Sequence, residues 1–340
     1  MEQKQPLIGM TKSDLEAVAA EVGLPRFAAG QMARWLYQRR ATSIDEMTDI
    51  SKAGRERLKE RWTVGREAPI AEAHSTDGTS KYLFRGAPGR DVESVFIPDK
   101  ERGTICVSSQ AGCKMNCRFC VTGRQGFHGQ LSSAQIINQV LSLPEYDQLT
   151  NIVFMGMGEP LDNLGNVLKT IEILTAPWGL AWSPKRITVS SIGKLKELKK
   201  LLDETKVHVA ISVHTPFAAE REAMMPSERA YPLTKIISLL RDYDFAHQRR
   251  LSFEYTMFKG RNDDLRHSDA LAKLLKGLDC RVNLIRFHAF PGYDAQPSNR
   301  ETMERFRDRL NNLGITATIR ASRGEDIDAA CGILAGKENL

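Results

Sequence analysis

Three cysteines within eight residues, Cys113, Cys117 and Cys120, constrain this 340-residue chain more than any other feature. They stand in a C-x3-C-x2-C spacing inside Gln110–Phe127, Q-A-G-C-K-M-N-C-R-F-C-V-T-G-R-Q-G-F. An odd number of cysteines at such short intervals argues against a disulfide framework, because neighbours this close cannot pair without strain. A tetrahedral zinc site needs a fourth ligand, and no His or Cys follows at finger-like spacing. Three thiolates suit a four-iron cluster with one iron left open, free to take a substrate or cofactor.

Length allows one large domain and a smaller companion. With 41% hydrophobic and 26% charged residues, the composition is that of a globular protein with a sizeable core. Lys and Arg outnumber Asp and Glu by 48 to 42, a net charge of +6 that suits a polyanionic partner without requiring one. The polar start M-E-Q-K-Q-P and the lack of any membrane-length apolar run lead us to expect no signal peptide and no anchor. Six cysteines in such a chain suggest a reducing cytoplasm. A monomer is expected, since there are no coiled-coil heptads.

Residues 11–62 read as helical. Thr11-Lys12-Ser13-Asp14 offers caps before Leu15, Val18, Ala19 and Val22, and Gly23 and Pro25 end that helix. A second helix runs through Phe27, Met32, Trp35 and Leu36, and a basic third starts at Ser51. The third helix's charged face reads either as solvated surface or, with the exposed aromatics, as an RNA grip. Strand patterns flank Gly86-Ala87-Pro88-Gly89, a hairpin signal. From Gly103 apolar strands alternate with helices, including helical patterns at Leu233–Ala246 and Leu265–Leu275 and a last strand at Ile315–Ile319. The alternation predicts an α/β fold, an open partial (β/α)6 barrel with a parallel sheet and helices outside. We therefore divide the chain into a helical head (1–66), a small β-hairpin linker (67–101) and a barrel with a terminal cysteine-bearing loop (102–340). In such a barrel chemistry collects at the strand C-terminal ends.

C-x3-C-x2-C after the first barrel strand, with Phe119 before the third cysteine, resembles the radical S-adenosylmethionine (radical-SAM) superfamily. G-M-G-E-P (Gly156–Pro160), S-V-H (Ser212–His214), V-N-L-I (Val282–Ile285) and R-G-E-D-I-D-A-A-C-G (Arg323–Gly332) resemble the RlmN/Cfr adenine methyltransferases over most of the chain. The resemblance implies a [4Fe-4S] cluster on Cys113, Cys117 and Cys120, and S-adenosylmethionine as the second cofactor. It implies methylation of carbon 2 of adenine in 23S ribosomal RNA, and in some transfer RNAs, with two S-adenosylmethionine molecules per turnover. Carbon 8 is the alternative, and a non-catalytic zinc or iron–sulfur RNA-binding protein is the rival of another class. An electron donor such as flavodoxin or ferredoxin is implied as well.

The resemblance assigns roles residue by residue. Cys331, otherwise a small buried residue, is implied to carry the methyl group. Cys106, otherwise a packed strand cysteine, is implied to resolve the product through a transient disulfide with Cys331. Glu93, which alone would read as polarity on a half-exposed strand, is implied to accept a proton. Gly158 and Glu159 are implied to bind the methionine end of the cofactor, and Ser190, Ser212, Val213 and His214 its ribose and adenine. His288 stands where the family usually has Asn, so its cofactor contact is implied by substitution. Cys280 matches nothing in the family and reads as structural.

Overall fold

The structure, a computed structural model, describes residues 4–87, 89–247 and 249–335. Residues 1–3 of the head, Pro88 of the hairpin loop and the last five residues of the barrel segment lie outside the described residues. The head contains β1 (Gln5–Pro6), α1 (Lys12–Glu21), α2 (Ala28–Ala33), α3 (Lys52–Arg61) and β2 (Trp62–Thr63). Thr11 and Asp14 cap α1 reciprocally: the Thr11 hydroxyl accepts from the Asp14 N–H at 3.2 Å, and the Asp14 carboxylate accepts from the Thr11 N–H at 3.0 Å. Ser51 caps α3 in the simpler way, accepting from the Gly54 N–H at 3.2 Å. The second helix does not run regularly through Leu36; it passes into a π-helical turn over Arg34–Gln38. β1 and β2 pair in parallel and tie the head's two ends together, a feature too short to stand out in sequence.

Next come β3 (Ala71–His74), β4 (Ser80–Ala87), β5 (Arg90–Asp99) and β6 (Arg102–Cys106). β7 (Gln110–Gly112), α4 (Val121–Arg124), β8 (Phe127–Gln130) and α5 (Ser133–Leu141) follow. The alternating part then runs β9 (Leu149–Phe154), α6 (Leu164–Thr175), β10 (Ile187–Ser191), α7 (Leu195–Glu204), β11 (His208–Ser212) and α8 (Ala218–Met224). It ends with α9 (Leu233–Leu240), β12 (Leu251–Met257), α10 (Leu265–Leu275), β13 (Arg281–Arg286), α11 (Arg300–Asn312) and β14 (Thr316–Ile319). The helix expected to reach Ala246 stops at Leu240, and beyond it the Asp244 carboxylate accepts from the Ala246 N–H at 2.8 Å in a local turn. Among the described residues no helix is long and apolar enough to cross a membrane.

One ten-stranded sheet carries the order β14-β13-β12-β11-β10-β9-β6-β5-β4-β3. From β6 to β14 every neighbouring pair is parallel, which matches the expected βα repeat and leaves the barrel open. The hairpin region is no separate sheet: β5 joins β6 antiparallel through five register pairs, Val95–Cys106 to Asp99–Arg102, so β3–β5 prolong the barrel wall.

Strand alternation gives the barrel two chemically different faces. In β12, Leu251, Phe253, Tyr255 and Met257 are fully buried toward the helices, with the Tyr255 ring 5.1 Å from Phe306 of α11. Ser252, Glu254 and Thr256 alternate with them on the inner face, where Glu254 accepts from Asn283 Nδ2 at 2.7 Å and Ser252 Oγ at 3.1 Å. The inner row is therefore polar along the strand.

The head packs onto α5 through Gly9, whose φ of +80° and close approach both call for glycine. A Cβ there would lie 2.2 Å from the backbone nitrogen of Ala134, and the Gly9 carbonyl accepts from Ser133 Oγ at 2.7 Å. Gly9→Ala should lower unfolding free energy by about 1–3 kcal/mol through strain and lost docking. Urea denaturation of the two proteins measures it; equal midpoints would show that the head docks without this contact.

Candidate active site

At the C-terminal ends of the barrel strands, one cavity collects Cys113, Cys117 and Cys120 with Gly158, Glu159, Ser190, Ser212, His214 and Cys331. The three-cysteine segment is an excursion closed at its neck. β7 pairs antiparallel with β8, and the Cys113 N–H donates to the Gly126 carbonyl at 2.8 Å. Gly112 needs its φ of +73° there, because a Cβ would sit 2.0 Å from that same carbonyl oxygen. Phe119 turns inward beneath the loop, edge-on to His214 at 4.7 Å and 5.5 Å from Phe258, in a small apolar core that also holds Cys117 and Met225.

Burial pushes the Cys113 thiol up to about 12 and raises Cys117 and Cys120 too. Such thiols stay protonated until a metal's charge displaces the protons. Among the described residues no group of three His, Cys, Asp or Glu side chains is poised around a single metal ion. The three thiols line one cavity, where together they could hold a shared inorganic group.

G-M-G-E-P forms the facing wall. Gly158 has φ +99°, and a Cβ on it would meet Gln110 Cβ at 2.5 Å. Glu159 is pinned rather than free: Oε1 accepts from Ser191 Oγ at 2.6 Å and the Leu161 N–H at 3.0 Å, and Oε2 from the Ile192 N–H at 3.0 Å. Burial raises its carboxyl to about 7 against the pull of those bonds. The carboxylate thus locks the loop to the end of β10, leaving the loop's backbone to face the cavity.

His214 stands at φ +55° with its ring buried. Its Nδ1 accepts from the Thr256 N–H at 2.9 Å, so the proton of the neutral ring is on Nε2. Burial, then the charge of Arg221, lowers its pKa to about 3. Val213 next to it does not line the cavity: alternation turns its side chain into the core, and only its backbone is available.

Cys331 reaches the cavity on an irregular C-terminal segment that other parts of the chain hold in place. The Val121 N–H donates to the Gly332 carbonyl at 2.8 Å, and Thr122 Oγ1 to the Leu334 carbonyl at 2.7 Å. From the hairpin side, Asp326 accepts from Ser75 Oγ at 2.6 Å, and Asp77 from the Gly324 N–H at 3.0 Å. Cys106 lies at the end of β6, buried and off the cavity wall; burial, then the Cys331 charge, pushes its thiol up to about 12. All six cysteines are free, so no disulfide joins Cys106 to Cys331 in this state.

Glu93 and His288, like Val213 and Cys106, are not among the residues that line the cavity. Glu93 is buried at 2% exposure, not half-exposed, because β5 is an interior strand of the long sheet. Its carboxylate meets Lys81 Nζ at 3.3 Å and the Ala335 N–H at 2.8 Å, just past Cys331 in the chain. His288 does not line the cysteine cavity. β13 ends at Arg286, and the chain beyond turns the ring toward Ser322 Oγ at 3.3 Å and Glu325 at 3.9 Å. Cys280 packs in the main core, apart from the site.

Three residues carry the site without having stood out in sequence. Arg221, 1% exposed, donates to the Ser212 carbonyl at 2.8 Å and the Val213 carbonyl at 3.2 Å, and pairs with buried Glu228. It fixes the end of β11. Glu254 and Arg320 pair at 3.4 Å on the cavity wall. Burial alone would lower the Arg320 pKa, but the charges of Cys331, Glu254 and Cys106 raise it overall. The signal for Glu254 was available in the S-x-E-x-T alternation of β12; Arg221 and Arg320 are single arginines with no local pattern.

Comparison with known proteins bears on the family and the fold. Residues 5–64 match the family profile described as ribosomal RNA large subunit methyltransferase N-terminal domain, and residues 107–271 match the radical SAM superfamily. The chain is 56% identical over 340 residues to the probable dual-specificity RNA methyltransferase RlmN of Parabacteroides distasonis, covering 100% of this chain and 99% of that one. It is 43% identical to the dual-specificity RNA methyltransferase RlmN of Alkalilimnicola ehrlichii, covering 97% and 94%. A crystal structure of a radical SAM methyltransferase from Sphaerobacter thermophilus superposes with a TM-score of 0.92 at 36% identity, over 98% of this chain and all of that one.

The His214 geometry sets a pH dependence. Its folded pKa lies below the unfolded value of 6.5, so its contribution to stability is complete above about 6.5 and is lost as pH falls toward about 3. His214→Asn keeps a side-chain oxygen near Nδ1 and tolerates the left-handed backbone. The stability of the original protein relative to this variant should fall by about 1.4 kcal/mol per pH unit between pH 6 and 4. Urea unfolding across that range checks it; a pH-independent difference would mean His214 is not buried neutral.

Proposed function

Because this chain belongs to the RlmN family of radical-SAM RNA methyltransferases, an enzyme family that works with a [4Fe-4S] cluster and S-adenosylmethionine, we propose that it methylates carbon 2 of an adenine in 23S ribosomal RNA, and of transfer RNA, through Cys331. The observation that carries the reading is that Cys331 borders the same cavity as Cys113, Cys117 and Cys120 although it comes from the far end of the chain. The relatives' names, dual-specificity RNA methyltransferase, favour two kinds of RNA over one, while the preference for carbon 2 over carbon 8 rests on the likeness of R-G-E-D-I-D-A-A-C-G (Arg323–Gly332) to the RlmN branch.

In this reading Cys113, Cys117 and Cys120 hold the cluster. The backbone around Gly158, with Ser190, Ser212 and His214, holds S-adenosylmethionine; His288 is left out of that set because its ring faces Ser322 and Glu325. When bound, the cluster and S-adenosylmethionine supply one-electron cleavage of the sulfonium to a 5′-deoxyadenosyl radical.

Cys331 does the carrying. Its thiolate takes a methyl group from one S-adenosylmethionine by displacement, forming a sulfur–carbon bond as the sulfonium carbon–sulfur bond breaks. The methyl group on Cys331 would then lose one hydrogen atom to the radical that a second S-adenosylmethionine supplies, and its carbon would bond to the adenine and join protein to RNA, with one electron from the adduct returning to the cluster. Glu93 accepts the proton displaced from the ring, a role its place beside the Cys331 segment supports. Cys106 frees the product by attacking the Cys331 sulfur: the disulfide forms as the bond from that sulfur to the transferred carbon breaks, and the carbon keeps the electron pair and takes up a proton to become the methyl group. The raised pKa of Cys106 keeps it a thiol, and so a poor nucleophile, until then. Arg320, which feels the charge of both cysteines, is placed to stabilise whichever is the thiolate.

Cys331→Ala should assemble the cluster and cleave S-adenosylmethionine reductively but leave RNA unmethylated, as read by iron content, 5′-deoxyadenosine release and nucleoside mass spectrometry. Cys106→Ala should accumulate protein covalently attached to RNA on a denaturing gel. Methylation by Cys331→Ala at anything near the normal rate, or a colourless zinc-loaded protein after anaerobic reconstitution, would overturn the reading.

A further inference from the structure

The polar inner row of the barrel continues beyond the cysteine cavity. A second cavity opens at the N-terminal ends of the strands and runs inward to Glu254, Arg320 and Cys331, which the two cavities share. A barrel interior is ordinarily filled with layers of side chains; this one sets the polar side chains of Thr104, Thr188, Ser252, Asn283 and Thr318 among apolar ones such as Val153 and Ile285. Its outer mouth carries Arg102, Arg250 and Arg281, at the starts of β6, β12 and β13.

The charges around this lumen do not balance. Its acidic residues are both engaged: Glu254 with Arg320 at 3.4 Å, and Asp99 with Arg323 at 3.8 Å. That leaves the three mouth arginines, none of which forms an ion pair among the described residues. They also feel one another: burial, then the charges of Arg281 and Arg102, lowers the Arg250 pKa. His208 beside them adds no charge, since its Nδ1 accepts from the Arg250 N–H at 2.8 Å, and burial with the neighbouring cations holds its pKa at about 4. Three exposed guanidinium groups at one mouth, without an ion-pair partner among the described residues, repel one another until an anion joins them. Their forked donors match the oxygens of an oxyanion.

We propose that this mouth is a binding site for a small oxyanion of the phosphate class, reached from the strand N-terminal side and held by Arg102, Arg250 and Arg281. The site is concave and has the Thr104 and Thr188 hydroxyls behind it, which suits a free anion better than the outside of an RNA helix. It also lies about 13 Å from the inner end, taking four residues of β13 from Arg281 to Ile285 at roughly 3.3 Å each. An RNA base that reaches Cys331 through the cysteine cavity leaves it free. The inference does not rest on the role given to Cys331.

Inorganic phosphate titrated into the cluster-loaded protein by calorimetry, alongside melting temperatures with and without phosphate, tests it. We expect one phosphate per chain and a melting temperature that rises with phosphate. Arg250→Gln and Arg281→Gln should each weaken phosphate binding about tenfold or more. In phosphate-free buffer both variants should melt at or above the original temperature, because the repulsion is relieved, and so report intact folds. Affinity for a short RNA should be unchanged. No binding at millimolar phosphate, or variants that bind as tightly as the original protein, overturns the proposal. So does an RNA affinity that falls in the variants while phosphate fails to bind, which would make the arginines an RNA surface.

Discussion

The hydrogen bond from the Val121 N–H to the Gly332 carbonyl, 2.8 Å long, is the contact on which the site depends. It joins the short helix after the three cysteines to the segment bearing Cys331, and Thr122 to Leu334 repeats the join between residues 212 apart in sequence. Among its described residues the C-terminal segment has a single turn of regular structure, at Glu325–Ile327. Irregular segments keep a fixed place only when other parts of the chain satisfy their backbone groups. Here the cysteine loop does so from one side, and Ser75 and Asp77 of the β3–β4 connection do so from the other. The hairpin strands thus position chemistry that their distance in sequence does not suggest.

The second constraint is the open barrel itself. Seven parallel strands ending at one rim bring Ser190, Ser212 and Thr256 to a common level, and glycine at 158 lets the facing backbone come close. Burying Glu159, Arg221 and Glu254 near that rim is costly unless every charge is met. Each is: Glu159 by Ser191 and two backbone N–H groups, Arg221 by Glu228 and strand-end carbonyls, and Glu254 by Ser252, Asn283 and Arg320. These bonds make the cavity wall stiff before any cofactor enters.

Much of this was legible in the chain. Thr11 and Ser51 marked helix starts because a cap is a local interaction. The βα alternation and the cysteine spacing pointed to the architecture and to the cavity's location. What was not legible depends on distant partners. The neck strands β7 and β8 are only three and four residues long and, apart from Phe127, hold no β-branched or aromatic strand former but His, so their pairing rests on the loop they close. Glu93 read as surface because the sequence does not tell that β5 is flanked on both sides. The hairpin read as a separate linker because nothing local says that β5 bonds to β6. Arg221, Arg320 and the mouth arginines are ordinary residues until the fold brings them together.

The central claim is that Cys331 carries the methyl group between cofactor and RNA. Cluster-loaded protein incubated with methyl-deuterated S-adenosylmethionine and 23S ribosomal RNA, followed by mass spectrometry of the Cys331 peptide and of the nucleosides, tests it most directly. The label is expected on Cys331 and on carbon 2 of adenine. Labelled adenine from protein whose Cys331 is never labelled would contradict it.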